Sequence, residues 1–266
     1  MYKRWTFQFF NLLIFHPSMQ ETIRGIVLRT VKYADSSLVI DLFTLGQGRQ
    51  AFIASTTRTK RAVRSLSFWQ PLTMVEFGAD LRPNSGRMPR PIDTRTYYNY
   101  VDLPFSPVKS SIALFLAEFL SAALREEKEN PPLYHYLESS LQWFDMVEQP
   151  MAVANFHLLF LLHLSRFLGI YPNLERPDRY FDLLAGCYCD RQPPHPHFLQ
   201  RDEAQALPFL FRMDYPTLHL FRFSRSERQR MLHVLNDYYR LHIPNFPELK
   251  SLEVLQEMYA LSYDNQ

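Results

Sequence analysis

The feature that most limits what this chain can fold into is a change of hydrophobic period near residue 100. Over residues 22–98 the apolar positions come in short runs, rich in β-branched and aromatic side chains, at 22–29, 37–43, 49–54, 71–77 and 88–98. Gly46 and Gly48 turn the second run into the third, and a Pro-Asn-Ser-Gly turn at 83–86 precedes the last. Runs of this length bounded by turn residues spell strands and hairpins. Five strands in about 80 residues, with a long loop ahead of the fourth, predict a small closed β-barrel of the OB kind, an SH3-like barrel being the alternative.

Beyond Tyr100 the period becomes helical. Ser106 followed by Pro107 is a cap with proline at the first helical position, and Leu116, Phe119, Leu120 and Ala123 continue one apolar face. Asn130-Pro131 and Pro150 open two further helices, the second stopped by Gly169 and Pro172. Ser224 and Glu227 form a capping box ahead of a helix to Leu241, and a last helix covers about 251–261. Residues 171–208, rich in Pro, Tyr and His, read as a loop-rich insertion, either knuckle-like or an ordered loop. The fold class expected is α+β in two domains: 19–100 an OB-fold nucleic-acid-binding domain and 101–266 a helical domain with that insertion.

Residues 1–18 stand apart as an extension. The apolar stretch at 5–15 is interrupted by Gln8 and Asn11 and lacks a small-residue cleavage site, so it does not read as a signal peptide. No run reaches the ~18 apolar residues of a spanning helix, which argues against a membrane partner. Met19, directly ahead of the first strand, is read as the native start, an expectation that N-terminal sequencing finding Met1 retained would remove.

The net charge of +2 conceals a division. Residues 22–100 hold twelve Lys and Arg against five acids, a net of +7, whereas residues 101–266 hold fifteen against twenty-one, a net of −6. A basic barrel joined to an acidic domain points to a polyanion for the first. The DNA-binding candidates are Arg24, Arg29, Lys32, Arg49, Arg58, Lys60, Arg61 and Arg64, the last four within seven residues. Tyr33, Phe68 and Trp69 are the candidate stacking partners, because cations track phosphates while flat rings stack on unpaired bases. For Phe68 a place in the barrel core is the favoured reading.

Cys187 and Cys189 are the only cysteines, which excludes a disulfide framework and fits a reducing compartment, the cytoplasm. With His195 and His197 they form the one set that zinc could take chemically. A single spacer in each pair strains tetrahedral geometry, so no metal and no cofactor is expected. Catalytic signatures are missing: no glycine-rich phosphate loop, no His-Glu-x-x-His and no Gly-x-Ser-x-Gly. His157 and His163, six apart on one helix, face different directions, and residues 237–242 read as helix-end hydrogen bonding. The chain is expected not to be an enzyme.

Taken in order, GIVLRT at 25–30, YADSSL at 33–38, Gly48-Arg49, QPL at 70–72, NFHL at 155–158, LGIYP at 168–172, YYRLH at 238–242 and KSL at 250–252 resemble the RecO family of bacterial recombination mediators, in versions from Bacteroides-like bacteria. The resemblance implies an OB-fold and a helical domain, binding of single- and double-stranded DNA, and annealing of complementary strands. It also implies cooperation with RecR to load the recombinase onto DNA covered by single-strand-binding protein. Many relatives carry a four-cysteine zinc module, for which only Cys187 and Cys189 are present here. The alternative is a protein-interaction scaffold that binds DNA only incidentally.

Overall fold

The computed structural model describes residues 21–55, 66–79 and 88–261, with side chains described over 22–55, 66–79 and 88–255. Strands β1 (Glu21–Ala34), β2 (Ser37–Thr44), β3 (Gly48–Ser55), β4 (Met74–Ala79) and β5 (Ile92–Thr96) form one antiparallel sheet in the order β3-β2-β1-β4-β5. That order is an OB-type barrel opened between β3 and β5. The expected closed barrel is therefore corrected to an OB-like curled sheet. Among the described residues a single backbone bond, from the Ile53 N–H to the Pro89 carbonyl (3.0 Å), bridges the gap. β1 is long because it pairs on both sides, and two register shifts, between Val27 and Arg29 and between Lys32 and Ala34, bend it.

Because side chains alternate along a strand, the sheet presents two apolar faces. Ile23, Val27, Leu42, Phe52, Val75 and Phe77 fill the concave side, closed by Trp69 from a 3-10 turn (Leu66–Trp69). Ile26, Leu28, Phe43, Leu72 and Met74 point the other way, into the helices. At about 2 kcal/mol for each such side chain, leaving that face in water would forfeit on the order of 10 kcal/mol, comparable to the whole stability of a domain. Sheet and helices therefore share one core.

The helices are α1 (Pro107–Ala123), α2 (Pro131–Met146), α3 (Pro150–Phe167), α4 (Arg201–Leu210), α5 (Arg225–His242) and α6 (Lys250–Leu261). Ser106 and Asn130 accept from the backbone N–H of Lys109 and Leu133, and Ser224 with Glu227 completes a capping box. Residues 171–208, instead of being irregular, carry three short strands, β6 (Tyr180–Asp182), β7 (Cys187–Cys189) and β8 (Phe198–Leu199), in the order β7-β6-β8, and the start of α4. Pro208 lies inside α4 and offers no N–H to the Ala204 carbonyl four residues back. The Tyr188 hydroxyl of β7 donates to that carbonyl instead (2.8 Å), tying the small sheet to the helix.

The connector between sheet and helices is held by one carboxylate. Asp145, buried at the end of α2, accepts the backbone N–H groups of Val101, Asp102 and Leu103 and the Tyr98 hydroxyl, at 2.7–3.0 Å. The buried Lys109 ammonium donates to the Asp145 carbonyl (2.7 Å) and pairs with Asp102 (2.7 Å). Tyr100 donates to the Leu72 carbonyl, and Tyr97 meets Tyr134 hydroxyl to hydroxyl (2.8 Å).

α3 is the central helix, buried on nearly every side. It carries His157, edge-on to Phe115 and fully buried, where desolvation, then the nearby Arg228 charge, push its pKa down to about 3. An unfolded histidine titrates near 6.5, so as pH falls the unfolded chain takes the proton first. The site exacts nothing above about pH 6.5. Below that, stability drains at about 1.4 kcal/mol per pH unit until about pH 3. Urea unfolding at pH 7 and pH 5 is expected to show this slope, flattened in His157→Leu; an equal slope in both proteins would remove His157 as its source.

Candidate nucleic-acid interface

The β1–β2 hairpin projects beyond the shared core. Past the first register shift β1 carries Arg29, opposite Asp41 of β2, and beyond it Lys32 and Tyr33. Arg29 and Lys32 are exposed and, among the described residues, make no side-chain hydrogen bond or ion pair, while Tyr33 leaves 68% of its surface open. Arg29 and Tyr33 share one face of the strand, an unengaged cation and an exposed ring of the kind that holds an unpaired strand, and Lys32 adds a cation on the other face.

Two of the other candidates are committed inside the protein. Gly48 ends the β2–β3 turn at φ +67° and lies against the loop after α1, where the Arg49 N–H donates to the Glu127 carbonyl (3.0 Å). The Arg49 guanidinium then donates to the Ser121 carbonyl near the end of α1 (2.6 Å) and pairs with Asp41 (2.9 Å). Arg49 thereby clamps hairpin to helix. Arg24 lies in register with Glu76, which lies in register with Arg95, so three strands align a carboxylate between two guanidiniums. Hydrogen bonds from Arg95 and then Arg24 hold the Glu76 carboxyl below its usual range. Arg24 also lies over the Tyr97 ring at 5.3 Å, so its charge is partly spent, though half its surface remains open.

Trp69 is 4% exposed and packs edge-on to Phe77, which corrects it from stacking platform to core; Phe68 packs partly buried against the same cluster. Arg58, Lys60, Arg61 and Arg64 lie outside the described residues, as does the extension at 1–18.

A cleft of about 890 Å³ opens beside the hairpin, walled by β1 and β2 on one side and by α1 and α6 on the other. Arg29 and Arg49 reach it from the sheet, and Arg125 and Lys250 from the helices. Sequence reasoning missed Arg125 and Lys250 because both lie in the acidic half of the chain. A second concavity, about 580 Å³ between α4 and α5, is lined by Phe209, Phe223 and Met231, and its one cation, Arg230, is held by Glu203 (2.6 Å).

Cys187 and Cys189 lie on β7, and His195 and His197 lie just ahead of β8. The Cys189 thiol points at the Tyr180 carbonyl (3.9 Å), His195 is taken by Asp182 (3.4 Å), and the two imidazoles stand 6.1 Å apart. Among the described residues no three His, Cys, Asp or Glu side chains converge for a metal. His163 lies beside Tyr136 and Tyr215, well away from the Phe115 contact of His157. The 237–242 cluster stitches α5 to its neighbours: Tyr238 donates to the Ile170 carbonyl, Tyr239 to that of Leu161, and His242 meets that of Leu183. Among the described residues no helix is long and apolar enough to cross a membrane.

Comparison with known proteins follows this architecture. Residues 19–88 match the family described as Recombination protein O N terminal, and residues 104–253 match Recombination protein O C terminal. The chain is 48% identical over 244 residues to the DNA repair protein RecO of Phocaeicola vulgatus, covering 91% of this chain and 100% of that protein. It is 46% identical over 244 residues to that of Bacteroides fragilis (91% and 99%), and 31% identical over 242 residues to that of Porphyromonas gingivalis (89% and 98%). With both halves matched in order and the relatives covered nearly end to end, the chain belongs to the RecO family of DNA repair proteins.

Proposed function

We propose that this protein is a recombination mediator that acts without covalent chemistry. It binds single- and double-stranded DNA, anneals complementary strands and, together with RecR, loads the recombinase onto DNA covered by single-strand-binding protein, in the cytoplasm. The observation that carries this reading is the exposed arm of Arg29, Lys32 and Tyr33 on an OB-like sheet of a RecO-family chain. The basic residues Arg58, Lys60, Arg61 and Arg64 follow β3 in sequence and add to the same domain's positive charge. Phosphates displace counterions from these cations, so affinity falls with salt and is indifferent to base sequence.

Fluorescence anisotropy of a labelled single-stranded oligonucleotide across a salt series tests this, paired with an ATP-free annealing assay. Replacing Arg58, Lys60, Arg61 and Arg64 together by Ala is expected to weaken binding of all sequences alike, and to lower the salt slope by about 0.7 for each phosphate no longer neutralised. Unchanged affinity at low salt would remove that segment from the site. If an acidic peptide displaces the oligonucleotide and no annealing occurs, the protein is an interaction scaffold.

A further inference from the structure

We propose that the cleft between the sheet and helices α1 and α6 holds the sugar-phosphate backbone of one nucleic-acid strand, with Arg29 on one wall and Arg125 and Lys250 on the other. The inference rests on the nucleic-acid reading above and extends the site from the barrel onto the helical domain. Charge within the cleft carries it. Of the carboxylates lining it, Asp41 is neutralised by Arg49 at 2.9 Å. Glu118 is spent on the start of α6, where it accepts the N–H groups of Lys250 (3.2 Å) and Ser251 (2.8 Å) and the Ser251 hydroxyl. In formal charge the lining sets four cations, Arg29, Arg49, Arg125 and Lys250, against three carboxylates, Asp41, Glu118 and Glu248, a net of +1, and the cations left outside the Arg49–Asp41 pair are Arg29, Arg125 and Lys250. Those three cations are exposed and, among the described residues, their side chains have no hydrogen-bond or ion-pair partner.

Shape selects the form of the polyanion. A volume of about 890 Å³ lies in the range of small-molecule sites, room for a few nucleotides of one strand and not for a duplex. Leu114, half exposed on α1, Val254 on α6 and Pro71 give the cleft apolar patches against which sugars and bases can lie. Arg29 also joins the cleft to the hairpin arm: Tyr33 lies four residues farther along β1 and, by strand alternation, on the same face, about 13 Å away at strand rise, while Lys32 points to the opposite face. A strand leaving the cleft passes directly onto that arm, a continuity that favours nucleic acid over an acidic peptide.

The test compares two double variants of the full chain that each remove two positive charges: Arg125→Gln with Lys250→Gln in the cleft, and Arg179→Gln with Arg222→Gln, exposed arginines that line no part of it. Both pairs are expected to keep the wild-type unfolding midpoint. By anisotropy at low salt, the cleft pair is expected to bind a single-stranded oligonucleotide on the order of tenfold more weakly, with the salt slope lowered by about 0.7 per phosphate, and the control pair within about twofold of wild type. Equal losses in both pairs would reduce the effect to net charge and overturn the proposal. So would wild-type affinity in the cleft pair. Loss of polyglutamate binding in the cleft pair with oligonucleotide binding intact would make the cleft a protein-docking site instead. These results leave DNA binding by the barrel standing, whereas a wild-type protein that binds no strand at low salt would sink both readings.

Discussion

Asp145→Ala is expected to lower the unfolding free energy by about 3–5 kcal/mol, because it strands several donors gathered by one buried carboxylate. Oδ1 accepts from Asp102 and Leu103, and Oδ2 from Val101 and the Tyr98 hydroxyl. Three of the four partners are backbone N–H groups that can only donate, so Asp145→Asn is also destabilising: at the Oδ1 position its NH2 faces two donors, and at the Oδ2 position it faces the Val101 N–H, although the Tyr98 hydroxyl can turn to accept. Burial alone would raise the Asp145 pKa; the backbone hydrogen bonds from Val101, Leu103 and Asp102, then that from Tyr98, outweigh it and hold the carboxyl below the usual aspartate range. Because the folded pKa is the lower one, the contribution is fully present above the unfolded value near 4 and is lost as pH falls below it. Urea midpoints of wild type and both variants at pH 7 and pH 3 check this. An Asn variant as stable as wild type at pH 7 would show that the connector is held by something else.

Gly48→Ala is expected to cost about 2–5 kcal/mol, combining left-handed backbone strain of about 1–2 with overpacking of about 1–3. A Cβ there would sit 2.3 Å from the Lys128 carbonyl carbon and 2.5 Å from the Glu127 oxygen, both main-chain atoms that cannot swing aside. Gly46, two residues earlier in the same turn, has open space where a methyl would go, with nothing within 4 Å, so Gly46→Ala is expected to stay within about 0.5 kcal/mol of wild type. The pair separates a general turn effect from the close approach of hairpin to helix. Since Arg49 follows Gly48 directly, Gly48→Ala also loosens the clamp onto Ser121 and Asp41. Equal unfolding midpoints for the two variants would refute the close approach.

Sheet and helices were legible in the sequence because their signals are local. The turn at Gly46 and Gly48, proline after Ser106 and Asn130, and the Ser224–Glu227 box all act within four residues of where they are read. The small sheet was not legible because strands of two or three residues are too short to show a period. The Arg49 clamp was not legible because nothing near it in sequence reveals the Ser121 carbonyl 72 residues away. Trp69 has the composition of a stacking residue, and only the 3-10 turn that swings it over Phe77 makes it core. The cleft was hidden twice over: its walls come from β1 and from helices more than 70 residues downstream, and its helical cations sit in a half whose summed charge is negative.

The apolar side chains that pass from the sheet into the helices make each half the other's solvent. The two portions of the chain are thus not interchangeable beads on a string. A chimaera that grafts this sheet onto a relative's helices must match Ile26, Leu28, Phe43 and Met74 as a mould matches its cast, and must bring its own partner for Gly48. Drift in either half is answerable to the other, and a change in one is silent only where the other does not reach.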